Sequence, residues 1–267
     1  MPVKKDAAGN RSVEAEVDVP GTPEQVWDAI ATGPGISAWF VPSELEGRTG
    51  GTSVLHFASD GSMDAVATIT AWEPPRRFVA EAPEGPGKVA TEWTVEAKSG
   101  GLCTVRVVHR WFASSDDWDD QFEGHTQGWV AFFRLLRLYL THFPGQHGSA
   151  FQLMVPSSEP LADAWRKLVE PLGLANATEE RRVAAASGTQ AFEGVVERTG
   201  PQDHPELVVR LDQPAPGYAH LFALPMGGMT FLSVRFFLFG DDAPSIAKRE
   251  ESMWRSWLEK HFPTPAS

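Results

Sequence analysis

The stretch VEAEVDVPGTPEQVWDAIATGPGI, residues 13–36, holds an alternating run, a Val-Pro turn and a helix with one tryptophan. Val13, Ala15, Val17 and Val19 alternate with Glu14, Glu16 and Asp18, the period of a half-buried strand. Thr22 is placed to cap a helix, Pro23 suits its first position, and Glu24 and Gln25 fall in the first turn. Val26, Trp27 and Ile30 give that helix one apolar face, and Gly33-Pro34-Gly35 is expected to stop it. ISAWF, residues 36–40, then reads as a short second helix or turn that plants Trp39 and Phe40 against a core. The same order restarts at FQLMVPSSEPLADAWRKLVEPLGL, residues 151–174: strand, Val-Pro, and a helix holding Trp165.

Two further landmarks recur behind these entries. CTVRVVHRWFASSDD (103–117) and LSVRFFLFGDD (232–242) each carry Val-Arg on a strand that runs into paired Asp. YLTHFPG (139–145) and WLEKHFPT (257–264) each run an aromatic helix into His-Phe-Pro, where proline halts the helix. Between the first landmarks, residues 45–113 are short strands punctuated by DGS, Pro74-Pro75, PEGPG and KSGG, as in an antiparallel meander. A helix of about 119–143 follows, with Trp129, Phe132, Phe133, Leu136, Leu140 and Phe143 on one stripe. Acidic residues precede or open it, which suits the helix dipole. The order therefore predicts a tail at 1–12, a domain at 13–144, and a linker, GQHGSA, at 145–150. A second, degenerate copy at 151–263 and a tail at 264–267 complete the chain. The second copy is shorter and lacks a clear counterpart of ISAWF and of the first two sheet strands.

The formal net charge is −12, distributed as −8 over residues 1–150 and −4 over 151–267. Neither half has the basic footprint that nucleic acid requires, and an anionic membrane surface is disfavoured for the same reason. Cys103 is the single cysteine, so the chain forms no internal disulfide, which fits a reducing compartment. The N-terminal MPVKKDAAGNRS has lysines without an apolar segment behind them, and no run approaches a membrane span. A cytoplasmic location is expected. Ten tryptophans call for a core or cavity rich in indole.

A strand, two helices, antiparallel strands and a long closing helix make an α+β helix-grip fold, in which a curved sheet wraps the last helix around a cavity. The residues resemble the START-like (SRPBCC) superfamily, in its branch related to the activator of heat-shock-protein ATPase. Val19-Pro20 with Pro23, Val26 and Trp27, then Trp39-Phe40 and Gly50-Gly51, carry the resemblance. So do Glu73-Pro74-Pro75-Arg76-Arg77, Thr104-Val105-Arg106-Val107 with His109, and Gly128-Trp129. The likeness covers about residues 13–144; over 151–263 it rests on Pro156, Trp165, Val234-Arg235 and the closing helix. A position usually glycine in that family, in the strand before Pro74-Pro75, is filled by Ala67 or its neighbour, which implies a narrower cavity. The superfamily includes lipid and hormone binders, polyketide cyclases and chaperone regulators, so fold analogy does not select a function.

No metal-ligand spacing, P-loop, nucleotide fingerprint or nucleophile motif is present, and neither metal nor cofactor is expected. His109 is the best polar candidate, because Val105, Val107, His109 and Trp111 share one face of a strand. It either contacts a ligand or is a buried histidine satisfied by a neighbour; its counterpart in the second copy is Leu238. Trp39, Trp72, Trp93, Trp111, Trp129 and Phe133 either line an apolar pocket or fill the core. Glu92 and Asp64 are weaker candidates for cavity carboxylates, and His125 for a group at the mouth. The acidic loop SSDDWDD, 114–120, reads as solvated, or as a gate or docking segment. The expectation is a non-enzymatic protein whose first domain binds a small apolar or aromatic molecule. A chaperone-associated or regulatory module with a protein partner, and a cavity-based cyclase or hydrolase, are the alternatives.

Overall fold

The alternating run forms β2 (Arg11–Pro20), whose start pairs with a short strand, β1 (Lys4–Lys5). The expected tail of 1–12 is therefore partly sheet, because Lys4 and Lys5 pair with Ser12 and Arg11. The computed structural model describes residues 4–5, 11–57, 61, 64–84, 87–111, 119–187 and 190–263. The chain divides into two compact units, Met1–His147 and Gly148–Ser267.

In the first unit, α1 (Pro23–Ala31) begins on a reciprocal cap. Gln25 N–H donates to Thr22 Oγ1, and Thr22 N–H donates to Gln25 Oε1 at 2.9 Å. Val26, Trp27 and Ile30 are buried, as their spacing predicts. Gly33-Pro34-Gly35 does not end the helical region but opens a second helix, α2 (Gly33–Ser37). Thr32 caps it by accepting from Gly35 N–H at 3.0 Å, and proline in a first turn forfeits no intrahelical bond. Glycine is required at 35 by close packing, since a Cβ there would lie 2.0 Å from the Asp28 carbonyl oxygen.

The meander follows as β3 (Ser43–Leu45), β4 (Thr52–His56), β5 (Asp64–Glu73), β6 (Arg77–Glu84), β7 (Gly87–Lys98) and β8 (Leu102–Trp111). The eight-stranded sheet has the order β1-β2-β8-β7-β6-β5-β4-β3. The entry strand thus lies beside the last strand, and α1 and α2 carry the chain to the opposite edge. The closing helix, α3 (Asp119–His142), packs against β2 and buries Trp129, Phe133, Leu136 and Leu140, with Phe143 buried just past its end. Its end is fixed by Tyr139, whose hydroxyl donates to the Gln146 carbonyl at 3.1 Å. Burial pushes that phenol up to about 12, so it stays a donor.

The second unit repeats this plan in shorter form: β9 (Gly148–Ser157), α4 (Leu161–Val169), then β10 (Arg182–Ser187) and β11 (Gln190–Thr199). β12 (Glu206–Gln213), β13 (Gly217–Met226), β14 (Met229–Phe239) and α5 (Ala243–His261) complete it. Its order, β10-β11-β12-β13-β14-β9, again sets the entry strand beside the last. Among the described residues it has no second helix and has five meander strands where the first unit has six, so one strand is missing and not two. Residues 148–150 of the expected linker are instead the start of β9, paired with Phe239, Leu238 and Phe237. The small residues there serve a close approach: a Cβ at Gly148 would meet the Leu238 carbonyl oxygen at 2.7 Å.

Candidate functional site

The inward face of the first sheet encloses, with α2 and α3, a cavity of about 700 Å³. Small side chains make the room. Ala65 and Ala67 on β5, and Ala80 and Ala82 on β6, stand at alternate positions along its wall. Ala67, at or beside the position expected to narrow the cavity, lines it, and the cavity stays open. Sequence reading passed over these paired alanines, although Ala at i and i+2 on adjacent strands is a legible sign of unfilled space.

Aromatic rings make the remaining walls. Trp39 lines the cavity while its Nε1–H donates to the Ala29 carbonyl at 2.9 Å, which fixes the indole to the end of α1. Trp93 meets Trp129 edge-to-face at a centroid distance of 5.1 Å, and Phe40 stacks on Trp129 at 5.5 Å. Of the aromatic candidates read from sequence, Trp39, Trp93 and Trp129 line the cavity, whereas Trp72, Trp111 and Phe133 do not. Trp72 packs on Trp27 at 5.0 Å and on Phe78 at 5.7 Å, and Phe78 is the ring that reaches the cavity. Phe133 lies against Trp93 and Trp129, supporting the wall. Trp111 shares the His109 face of β8 but is fully buried at the strand's end, beside Arg11 and Val89 in the ladder. Phe40, Phe78 and Phe132 are liners that were not singled out as site residues; as phenylalanines in apolar patterns they give no signal apart from any core ring.

His109 also lines the cavity, as the alternation from Val105 and Val107 predicts. Its Nδ1 is 2.9 Å from Thr91 Oγ1 on β7, and its Nε2 accepts from Trp129 Nε1–H on α3. The histidine therefore ties the closing helix to the sheet. The other polar liners are Ser53, Asp64 and Thr91. Asp64 is bonded to His56 Nδ1 at 2.9 Å. Glu92 does not face the cavity, because Thr91 and Trp93 do and adjacent residues of a strand point oppositely. Burial pushes the Glu92 carboxyl up, but hydrogen bonds from Arg77 and Arg110 outweigh it and hold the group below the usual carboxylate range. The His125 side chain and residues 114–118 of the acidic loop lie outside the described residues.

In the second unit the described residues between sheet and helix form a packed aromatic core. Phe151 stacks on Phe236 at 5.1 Å, with Phe192 at 5.9 Å and Trp254 at 5.5 Å from the same ring. Leu238, which pairs with Ser149 as His109 pairs with Val13, is fully buried in that core. At the closing corner, His261 stacks on Trp257 at 4.0 Å with its Nδ1 2.8 Å from the Trp257 carbonyl, a packing arrangement. Among the described residues no group of three His, Cys, Asp or Glu could hold a metal ion, and no helix is long and apolar enough to cross a membrane.

Residues 10–135 match the family described as polyketide cyclase/dehydrase and lipid transport. No curated protein matches the chain in sequence. Among solved structures, the chain is similar to CalU16 from Micromonospora echinospora, with 21% identity and a TM-score of 0.41, over 52% of this chain and 83% of that one. It is similar to BexL, the di-domain ARO/CYC of the BE-7585A biosynthetic pathway, with 14% identity and a TM-score of 0.44, over 96% and 100% of the two chains. DynU16, from the dynemicin biosynthetic locus, gives 15% identity and a TM-score of 0.42 over 92% and 94%.

Proposed function

We propose that the first unit, a START-like domain matched by the polyketide cyclase/dehydrase and lipid-transport family, is a non-enzymatic receptor for one small, neutral, ring-bearing molecule. The observation that carries this reading is the open cavity of about 700 Å³ with Trp39, Trp93 and Trp129 on its walls. That volume lies within the roughly 300–1,000 Å³ of small-molecule sites, and binding would draw on apolar area removed from water. Charge favours a neutral occupant. The chain carries −12, and the single carboxylate among the described liners, Asp64, would repel an anion.

Proton-transfer catalysis needs a group that can exchange a proton with the bound molecule. Here His109 is engaged through both ring nitrogens, and Asp64 is bonded to His56. Both facts support binding without turnover.

The test is energy transfer from tryptophan to the neutral fluorophore N-phenyl-1-naphthylamine in the purified full chain. Saturable transfer is expected, lost in Ala67→Phe, which fills the cavity from β5. Transfer that does not saturate, or that Ala67→Phe leaves intact, would overturn the reading. Mass spectrometry of incubated aromatic polyketones should recover them unchanged; conversion would make the domain an enzyme.

A further inference from the structure

We infer that the Thr91 hydroxyl, and not His109, orients the occupant, as a donor to a neutral acceptor oxygen such as a ring ketone or quinone carbonyl. The inference rests on the ligand-binding reading above and specifies which ligands the site prefers.

The hydrogen-bond chain decides the direction of each proton. An indole N–H donates and never accepts. Trp129 Nε1–H points at His109 Nε2, so that nitrogen presents its lone pair. The neutral imidazole then carries its proton on Nδ1, which donates to Thr91 Oγ1 at 2.9 Å. With its oxygen accepting from His109, Thr91 has its own O–H left to give. Among the described residues no other side-chain hydrogen bond involves the Thr91 hydroxyl, and Thr91 lines the cavity.

Each link comes from a different element. Trp129 is on α3, His109 on β8 and Thr91 on β7, at a point where Thr91 and His109 are direct ladder partners. The donor is therefore held in place by the sheet and the helix together. Successive bonds in such a chain polarise one another, which strengthens the terminal donor. His109 and Trp129 act as positioning residues; the group that touches the occupant is Thr91. A carbonyl between the Trp93 and Trp129 rings and this hydroxyl would gain a hydrogen bond, whereas the matching hydrocarbon would leave the hydroxyl unpaired.

The experiment compares fluorenone with fluorene, two ring systems of the same shape that differ by a carbonyl in place of a methylene. Binding to the full chain is followed by quenching of tryptophan fluorescence. The wild-type protein should prefer fluorenone by about three- to tenfold. Thr91→Val, which keeps the shape and loses the hydroxyl, should remove the preference by weakening fluorenone without weakening fluorene; Thr91→Ser should retain it. If Thr91→Val does not fold, Thr91→Ala serves for the same comparison. Equal wild-type affinities, a preference that survives the loss of the hydroxyl, or one lost in His109→Gln but kept in Thr91→Val, would overturn the assignment to Thr91 and leave the binding reading standing. Failure of both probes to bind overturns the two together.

Discussion

His109 and Glu92 are neighbours across the β7–β8 pair with opposite fates. Thr91 and Trp93 turn inward with His109, and Glu92 turns outward between Arg77 and Arg110. The inward polar groups are few, and three of them, Trp129, His109 and Thr91, are joined in one hydrogen-bond chain on an otherwise largely apolar wall. The outward carboxylate is held charged by two guanidinium groups. A group whose native value is depressed contributes stability above its unfolded value and loses it as pH falls through the native one. Glu92→Gln should therefore cost about 1–3 kcal/mol at pH 7. The gap between variant and wild type should close below about pH 4.3, the ordinary value for glutamate. Urea titrations of both proteins at stepped pH read this directly; a gap that stays constant to pH 3 would assign the loss to packing. Alternation along the strand made the side of His109 legible in sequence. The partners of its two nitrogens were not, because Thr91 and Trp129 lie 18 and 20 residues away on other elements.

At the scale of elements, local chemistry explains starts better than stops. The Thr22 cap is written in Thr-Pro-Glu-Gln and is found with both of its bonds. Thr22→Ala should lower stability by about 1 kcal/mol, read as a shift of the urea midpoint at unchanged slope. Gly33-Pro34-Gly35 has the look of a terminator, yet it opens α2, because Thr32 supplies a second cap and Gly35 fits against the Asp28 carbonyl. That fit depends on the path of α1 in space, so a window of sequence does not contain it. The same holds for the start of β9, where small residues that resemble a linker are an edge strand in close contact with β14.

Across the whole molecule, one plan is used twice with different interiors. In the first unit the alternate alanines of β5 and β6 leave space that rings border but do not fill. In the second, Phe151, Phe192, Phe236 and Trp254 occupy the corresponding space between sheet and helix. Calorimetric titration with a ligand of the first cavity should accordingly give one site per chain, and Leu238→His should add none. Trp254→Ala should destabilise the second unit by about 3–5 kcal/mol in chemical denaturation, since a large ring leaves a packed core. A loss under about 1 kcal/mol would mean that core is loosely filled. By itself the sequence determined the fold class, the doubling and the single polar face of β8, because these follow from local periods of two and 3.6 residues and from caps and breakers. Only the tertiary structure decided that the first cavity is open and which rings border it. It also decided that Thr91 carries the spare hydrogen, because volume and hydrogen-bond direction depend on side chains that meet from distant elements.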